Sequence, residues 1–341
     1  MVTGGCGFIG SHLIEHLLKN TDWEIVNLDA LTYAGNLNRL ADISVWLQEK
    51  DRVKFVWHDL KASISESVHK MIGKLDYCIH FAAESHVDRS LEDSIPFVMS
   101  NVVGTANLLE YFKHYQPECK ILIFSTDEVF GALADGGKDK FNENLPFRPN
   151  SPYAASKTAA DCLVRAYYKT YGLPVSITNC SNNFGPYQFP EKLMPLAITN
   201  LMEGLKVPIY GDGMQVRDWL YVDDHCRAID LIVNDEKTIG ETFCVGGLTK
   251  DIPNIEVIKK ILKIMGKNKN FIEYVKDRPG HDRRYSVDWS KIKKVLGWEP
   301  KHDFDTWLEK TIHWYKNNTN WWKPLKEKQK RYFEKQYGRR L

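Results

Sequence analysis

The run Thr3-Gly4-Gly5-Cys6-Gly7-Phe8-Ile9-Gly10 passes straight into the helical pattern Ser11-His12-Leu13-Ile14-Glu15, and no other stretch limits the possible folds so much. Glycines at 4, 7 and 10 permit a tight turn, close backbone approach to a pyrophosphate, and close packing of the following helix. With Phe8 and Ile9 they open a helix whose amino terminus offers unpaired N–H groups and a positive dipole end to phosphate. Glycine turns are common, so context decides. Asp29 stands nineteen residues past Gly10, closing the apolar run Ile25-Val26-Asn27-Leu28. A carboxylate there accepts hydrogen bonds from the adenosine ribose and repels a 2′-phosphate, which favours NAD over NADP. His58-Asp59-Leu60, at the end of the next strand pattern, would flank the adenine. Only Met1-Val2-Thr3 precede the turn, where about five strand residues are usual. Either a short central strand or a native start upstream is expected.

Strand-like runs at 24–29, 53–57, 76–83, 120–125 and 175–179 alternate with helical patterns such as 11–19 and 102–114. Such alternation predicts an α/β fold, a Rossmann-type doubly wound parallel sheet. One helix is signalled at both ends, by Ser151 as cap, Pro152 in the first turn and Gly172 as stop. From Asn182 onward Pro and Gly recur and segments shorten, predicting a smaller carboxy-terminal substrate-binding lobe. The expected division is 1–181 for dinucleotide binding, with 214–245 returning to it, 182–322 for substrate, and a basic tail at 323–341.

That tail carries eight Lys and Arg against two Glu in a chain of net charge +2, so the rest is mildly acidic. It reads as a solvated terminal helix with Tyr332, Phe333 and Tyr337 packing on the body or a partner, not as a nucleic-acid arm. No apolar run approaches the roughly 20 residues that span a bilayer. Seven dispersed cysteines show neither metal-ligand nor disulfide spacing, so no metal is expected and a reducing cytoplasm is.

Tyr153 and Lys157, four apart on the capped helix, share a face. A phenol is too weak a base at neutral pH, but a nearby ammonium and an oxidised nicotinamide both favour the phenolate. Ser125-Thr126-Asp127-Glu128 places hydroxyls and two acids at a predicted strand end. With these motifs the chain resembles the nucleotide-sugar 4,6-dehydratases of the extended short-chain dehydrogenase/reductase superfamily, most of all those acting on dTDP-glucose. The resembling blocks are 29–36, 80–90, 125–131, 182–187, 191–193, 217–222 and 277–285. Phe130 departs from the family, which usually shows Tyr there, as does Cys244, where Asn is common.

The resemblance implies C4 oxidation by Tyr153 with NAD, Thr126 orienting the C4 oxygen, Glu128 as base at C5 and Asp127 as acid at the C6 hydroxyl. It also implies that Leu31, Thr32, Phe81, Ala82, Ala83, Ser85, Ser100 and Asn183 join Asp59 and Leu60 around the cofactor. Ser85 would also meet the sugar and Asn182 the diphosphate. Lys192, Leu193 and Pro195 with Pro208, Ile209 and Tyr210 would wrap the nucleoside, and Arg217, Asn254, Arg278 and His281 would complete the pocket. A homodimer paired through the 102–114 and 152–171 helices is implied as well. Other nucleotide sugars, a C4-epimerase, which needs no acid pair, and a non-catalytic NAD-binding scaffold are the alternatives.

Overall fold

In the computed structural model, residues 1–247 and 250–337 are described, apart from the Tyr337 side chain, so the expectation for Tyr337 lies outside the described residues. The strands in chain order are β1 (Val2–Thr3), β2 (Ile25–Asp29), β3 (Val53–Trp57), β4 (Tyr77–His80), β5 (Lys120–Thr126), β6 (Val175–Cys180) and β7 (Asn182–Phe184). They continue with β8 (Val207–Tyr210), β9 (Val216–Arg217), β10 (Trp219–Tyr221), β11 (Thr242–Val245), β12 (Ile252–Pro253) and β13 (Ile272–Val275). Strands β1 to β6 and β11 form one parallel sheet in the order β11-β6-β5-β4-β1-β2-β3. Strand order reverses between β1 and β4, and in such sheets ligands bind in the crevice beyond the carboxyl ends of the strands at that point.

β1 is two residues long, and the Met1 ammonium extends its pairing by donating to the Tyr77 carbonyl at 2.6 Å. β4 ends at His80 rather than at Ala83, because the residues after it leave the sheet to line the crevice. The helix expected at 102–114 is instead a π-helical turn, Val98–Val103, running into an α-helix, Gly104–Tyr115. Pro152–Tyr171 is one helix, with Ser151 Oγ accepting from Ala154 N at 3.1 Å and Gly172 left-handed at φ 73°.

The smaller lobe holds three two-stranded pairings, β7 with β10, β9 with β12 and β8 with β13. Its helices Leu193–Met202, Asn254–Ile264 and Phe304–Asn317 share one continuous apolar core with the Phe8–Asn20 helix of the large sheet. β9 and β10 pair within the small sheets, so the return to the large sheet is made by the Val222–Asn234 helix and β11 and begins later than 214. The basic stretch docks on this core through the helices Thr319–Lys328 and Lys330–Tyr337. Trp322 and Phe333 are buried, as is Lys326. Lys326 corrects the expectation of a wholly solvated basic face: its Nζ donates to Asn200 Oδ1 at 2.6 Å and to Glu203 Oε2 at 2.5 Å. Among the described residues no helix is long and apolar enough to cross a membrane, and no cluster of ligating side chains could hold a metal.

Candidate active site

The glycine loop is built for close approach. Gly7 N donates to the Gly4 carbonyl at 3.0 Å, closing the turn, and Gly4 sits at φ +70°. A Cβ on Gly10 would lie 2.4 Å from the Gly4 carbonyl oxygen, so only glycine lets the helix pack onto the turn. Asp29 is buried at the end of β2, its Oδ2 accepting from Cys6 N at 2.9 Å and its Oδ1 from Leu31 N at 2.7 Å. Each oxygen keeps a second lone pair for a ribose hydroxyl. Burial raises the Asp29 carboxyl above its ordinary value, the two N–H bonds opposing it.

Arg39, which the sequence reading missed, is buried beside this loop. Its Nη1 donates to the Cys6 and Ala34 carbonyls at 2.7 Å, and Nε and Nη2 donate to the Tyr187 carbonyl. A guanidinium committed to backbone carbonyls braces the loop and is a poor receiver for a 2′-phosphate. Glycine turn, carboxylate and committed arginine together fit NAD.

One cavity runs along this edge, lined by Gly4, Gly7, Phe8, Ile9, Gly10, Asp29, Thr32, Asp59, Leu60, Phe81, Ala82, Ala83, Ser85, Ser100, Thr126, Tyr153, Lys157 and Asn183. Leu31 is the exception. It holds a left-handed backbone at φ 52°, which aims its N–H at Asp29 while its side chain packs on the core. A second cavity adjoins the first across Ser85, Glu128, Asn182 and Lys192, and is lined further by Leu193, Pro208, Ile209, Tyr210, Arg217, Asn254, Arg278 and His281. Pro195 does not line it. That residue is buried in the first turn of its helix, and Met194 and Leu196 form the wall instead.

At the junction stand the candidate reacting groups. Thr126 ends β5 and caps a 3-10 turn, Asp127–Phe130, its Oγ1 accepting from Glu128 N and donating to Asp127 Oδ1, both at 3.3 Å. Asp127 is 1% exposed and its Oδ2 has no partner among the described residues. Burial, then the Glu128 charge, hold its carboxyl well above the ordinary carboxylate range. Burial raises Glu128 too, but Arg278, Arg217 and Lys192 pull it back. The two acids thus sit in unlike environments, as an acid and a base acting on one substrate require.

Tyr153 is buried at the start of its helix, and burial followed by the Glu128 charge push its phenol well above 10. Lys157 does not offset this in the protein alone: its Nζ donates to the Phe124 carbonyl at 2.6 Å. One helical turn on, Asp161 accepts from Ser125 Oγ at 2.7 Å and from Asn179 Nδ2 at 3.1 Å, and burial pushes it up to about 6. Tyr153, Lys157 and Asp161 repeat every four residues, a signal that was there to be read.

Towards the nucleotide end, Lys192 Nζ donates to the Ser85 carbonyl at 2.9 Å, and Arg217 donates to the Val216 and Asp282 carbonyls. Burial lowers His281 to about 4, and its Nδ1 lies 2.6 Å from Asp277 Oδ1. Asn182 Oδ1, Asn254 Oδ1, Gln215 Oε1, His86 Nδ1 and Arg278 Nε are buried without a partner among the described residues. Idle buried polar atoms on one wall are what a polar ligand would satisfy. His86, Asp88, Glu191 and Gln215 on this wall were not expected from sequence.

A reversal of strand order, a glycine cradle below it and a Tyr/Lys pair above are the marks of a dinucleotide-dependent enzyme of the short-chain dehydrogenase/reductase class. Residues 1–311 match the model of the family described as GDP-mannose 4,6 dehydratase, and the chain belongs to that family. It is 43% identical over 343 residues to a dTDP-glucose 4,6-dehydratase of Neisseria meningitidis, covering 94% of each chain. The solved dTDP-glucose 4,6-dehydratase of Streptomyces venezuelae, which has NAD bound, superimposes with a TM-score of 0.88 at 42% identity, over 95% of this chain and 98% of that one. The enzyme of the same name from Bacillus anthracis, in complex with NAD, gives a TM-score of 0.84 at 45% identity, over 95% and 98%.

Proposed function

We propose that this protein is an NAD-dependent nucleotide-sugar 4,6-dehydratase that converts dTDP-glucose to its 4-keto-6-deoxy product. The observation that carries this reading is the pair Asp127 and Glu128, held in unlike environments where the dinucleotide cavity meets the second cavity. An enzyme that only oxidised and re-reduced C4 would have no work for these two acids. The relatives' names support dTDP-glucose as substrate, and the bound NAD of the solved relatives supports the cofactor.

In this reading Tyr153 takes the C4-hydroxyl proton while Thr126 hydrogen-bonds that oxygen. NAD, when bound, supplies the hydride acceptor at C4, the hydride donor at C6 and a positive charge beside the phenol. Lys157 adds its own charge, steadied by Asp161. Once C4 is a ketone the C5 hydrogen is acidic, and Glu128 removes it, returning the proton to C5 when hydride reaches C6. Asp127 passes its proton to the departing C6 hydroxyl, which leaves as water. Ser85 and Asn182, lining both cavities, hold the sugar and the diphosphate between them.

The chain assembles as a homodimer. Supporting this, Ile95, Val98 and Met99 are exposed apolar residues on a segment packed against the Pro152–Tyr171 helix. A cytoplasmic location is supported by seven cysteines that are all free thiols.

The test is incubation with dTDP-, UDP-, GDP- and CDP-hexoses, with products read by mass. Loss of one water from dTDP-glucose, with NAD recovered oxidised, is the expected result. An isomeric product of unchanged mass would make the protein an epimerase, and no product from any sugar would leave it a scaffold.

A further inference from the structure

We propose that Asp88 is a positioning residue of the nucleotide pocket, holding the Arg278 guanidinium and the Tyr210 ring where a nucleoside diphosphate can meet them. The inference rests on the nucleotide-sugar reading above and adds to it a residue that would touch no reacting atom. Asp88 lies on the short helix Val87–Glu92, which packs against the Pro152–Tyr171 helix, and is 6% exposed. Its Oδ1 accepts from Arg278 Nη1 at 2.5 Å and its Oδ2 from Tyr210 Oη at 2.9 Å. These two donors lie 190 and 122 residues further along the chain, on the smaller lobe. One carboxylate therefore ties two walls of the pocket together.

The tie leaves the guanidinium with work undone. Arg278 Nε is buried without a partner among the described residues, in the cavity where Asn182 Oδ1, Asn254 Oδ1 and His86 Nδ1 are idle as well. A guanidinium fork gripped at one nitrogen and idle at another presents a fixed donor to an anion. Burial by itself would raise the Asp88 carboxyl, yet the Arg278 charge and the two hydrogen bonds outweigh it and hold the group below its ordinary value. Asp88 is thus ionised at neutral pH, as a clamp on a cation must be. The arrangement continues outward, since Gln336 Nε2 donates to Tyr210 Oη at 2.8 Å. The carboxy-terminal helix thereby completes a chain of bonds from Gln336 through Tyr210 to Asp88 and Arg278.

The experiment is calorimetric binding of dTDP and of NAD, with steady-state kinetics on dTDP-glucose, for wild type, Asp88→Asn, Asp88→Glu, Arg278→Ala and the double variant Asp88→Asn/Arg278→Ala. Asp88→Asn is expected to weaken dTDP about tenfold to hundredfold and raise KM in proportion, with kcat within about threefold. NAD affinity should stay at the wild-type value, and Asp88→Glu should recover part of the loss. In the Arg278→Ala background, Asp88→Asn should add less than about threefold, because the group it positions is gone. Wild-type dTDP affinity in Asp88→Asn, its full effect persisting without Arg278, or NAD affinity falling in parallel would each overturn the inference. A wild type that binds no dTDP and dehydrates no nucleotide sugar would defeat the function reading itself.

Discussion

At the residue scale the chemistry depends on which protons the buried groups keep. Asp127→Asn and Glu128→Gln should each slow formation of the 4-keto-6-deoxy product about 10²- to 10⁴-fold while C4 oxidation persists, seen as reduced cofactor by absorbance. Wild-type turnover by both variants would refute the assigned elimination. The pH profile of kcat/KM should be bell-shaped. Glu128 must be ionised, so activity falls as pH drops through its raised pKa; Asp127 must be protonated, so activity falls as pH climbs through its own. Stability follows the same sign. A carboxyl whose pKa is raised by folding favours the native state at low pH and loses that contribution as pH rises. Asp127→Asn should therefore melt about 2–4 °C higher at neutral pH, and the gain should vanish below about pH 4, where the unfolded carboxyl is also protonated. Catalytic acids held above their ordinary range carry such a cost in stability.

At the element scale, short motifs were legible where their geometry is local. The glycine turn, the Asp29 carboxylate and the capped Pro152–Tyr171 helix each depend on neighbours within a few residues or one strand. Gly10→Ala tests the first directly. A Cβ 2.4 Å from the Gly4 oxygen and 2.8 Å from Gly5 Cα must push the helix off the turn. It should cost about 1–3 kcal/mol of stability and weaken NAD by at least about tenfold; unchanged NAD affinity by calorimetry would count against the cradle. Leu31 and Pro195 line neither cavity, for one common reason. A resembling block says which residues are near a site, whereas the backbone decides which side chains face it. The left-handed turn at Leu31 and the helical turn at Pro195 rotate those two away. The π-helical turn at Val98–Val103 was likewise unreadable, since the shift of phase that one extra residue brings does not stand out over six residues.

For the whole molecule, the helices Thr319–Lys328 and Lys330–Tyr337 fasten the carboxy-terminal stretch to the body, through Trp322 just before the expected tail and through Lys326 and Phe333 within it. Trp322 is fully buried, its Nε1 donating to the Tyr315 carbonyl at 2.9 Å, so Trp322→Ala should cost about 3–5 kcal/mol in a denaturant titration. A loss under about 1 kcal/mol would mean the helix is not docked. The exposed apolar segment predicts the opposite: Met99→Asp should leave folding intact yet give a monomer by sedimentation, if this face joins two copies. By itself the sequence pointed to the parallel sheet, the dinucleotide turn, and a phenol, an ammonium and two acids as candidate reacting groups. These follow from local periodicity, from glycine sterics and from residues adjacent in the chain. Only the tertiary structure decided that Lys157 turns to the Phe124 carbonyl, that Arg39 is spent on bracing the loop, and that Asp88 clamps Arg278 across 190 residues. Lys157 and Phe124 meet when helix packs on sheet within the large lobe, Arg39 meets the glycine loop there too, and Asp88 meets Arg278 only across the two lobes; burial and charge at those meetings set which protons are held.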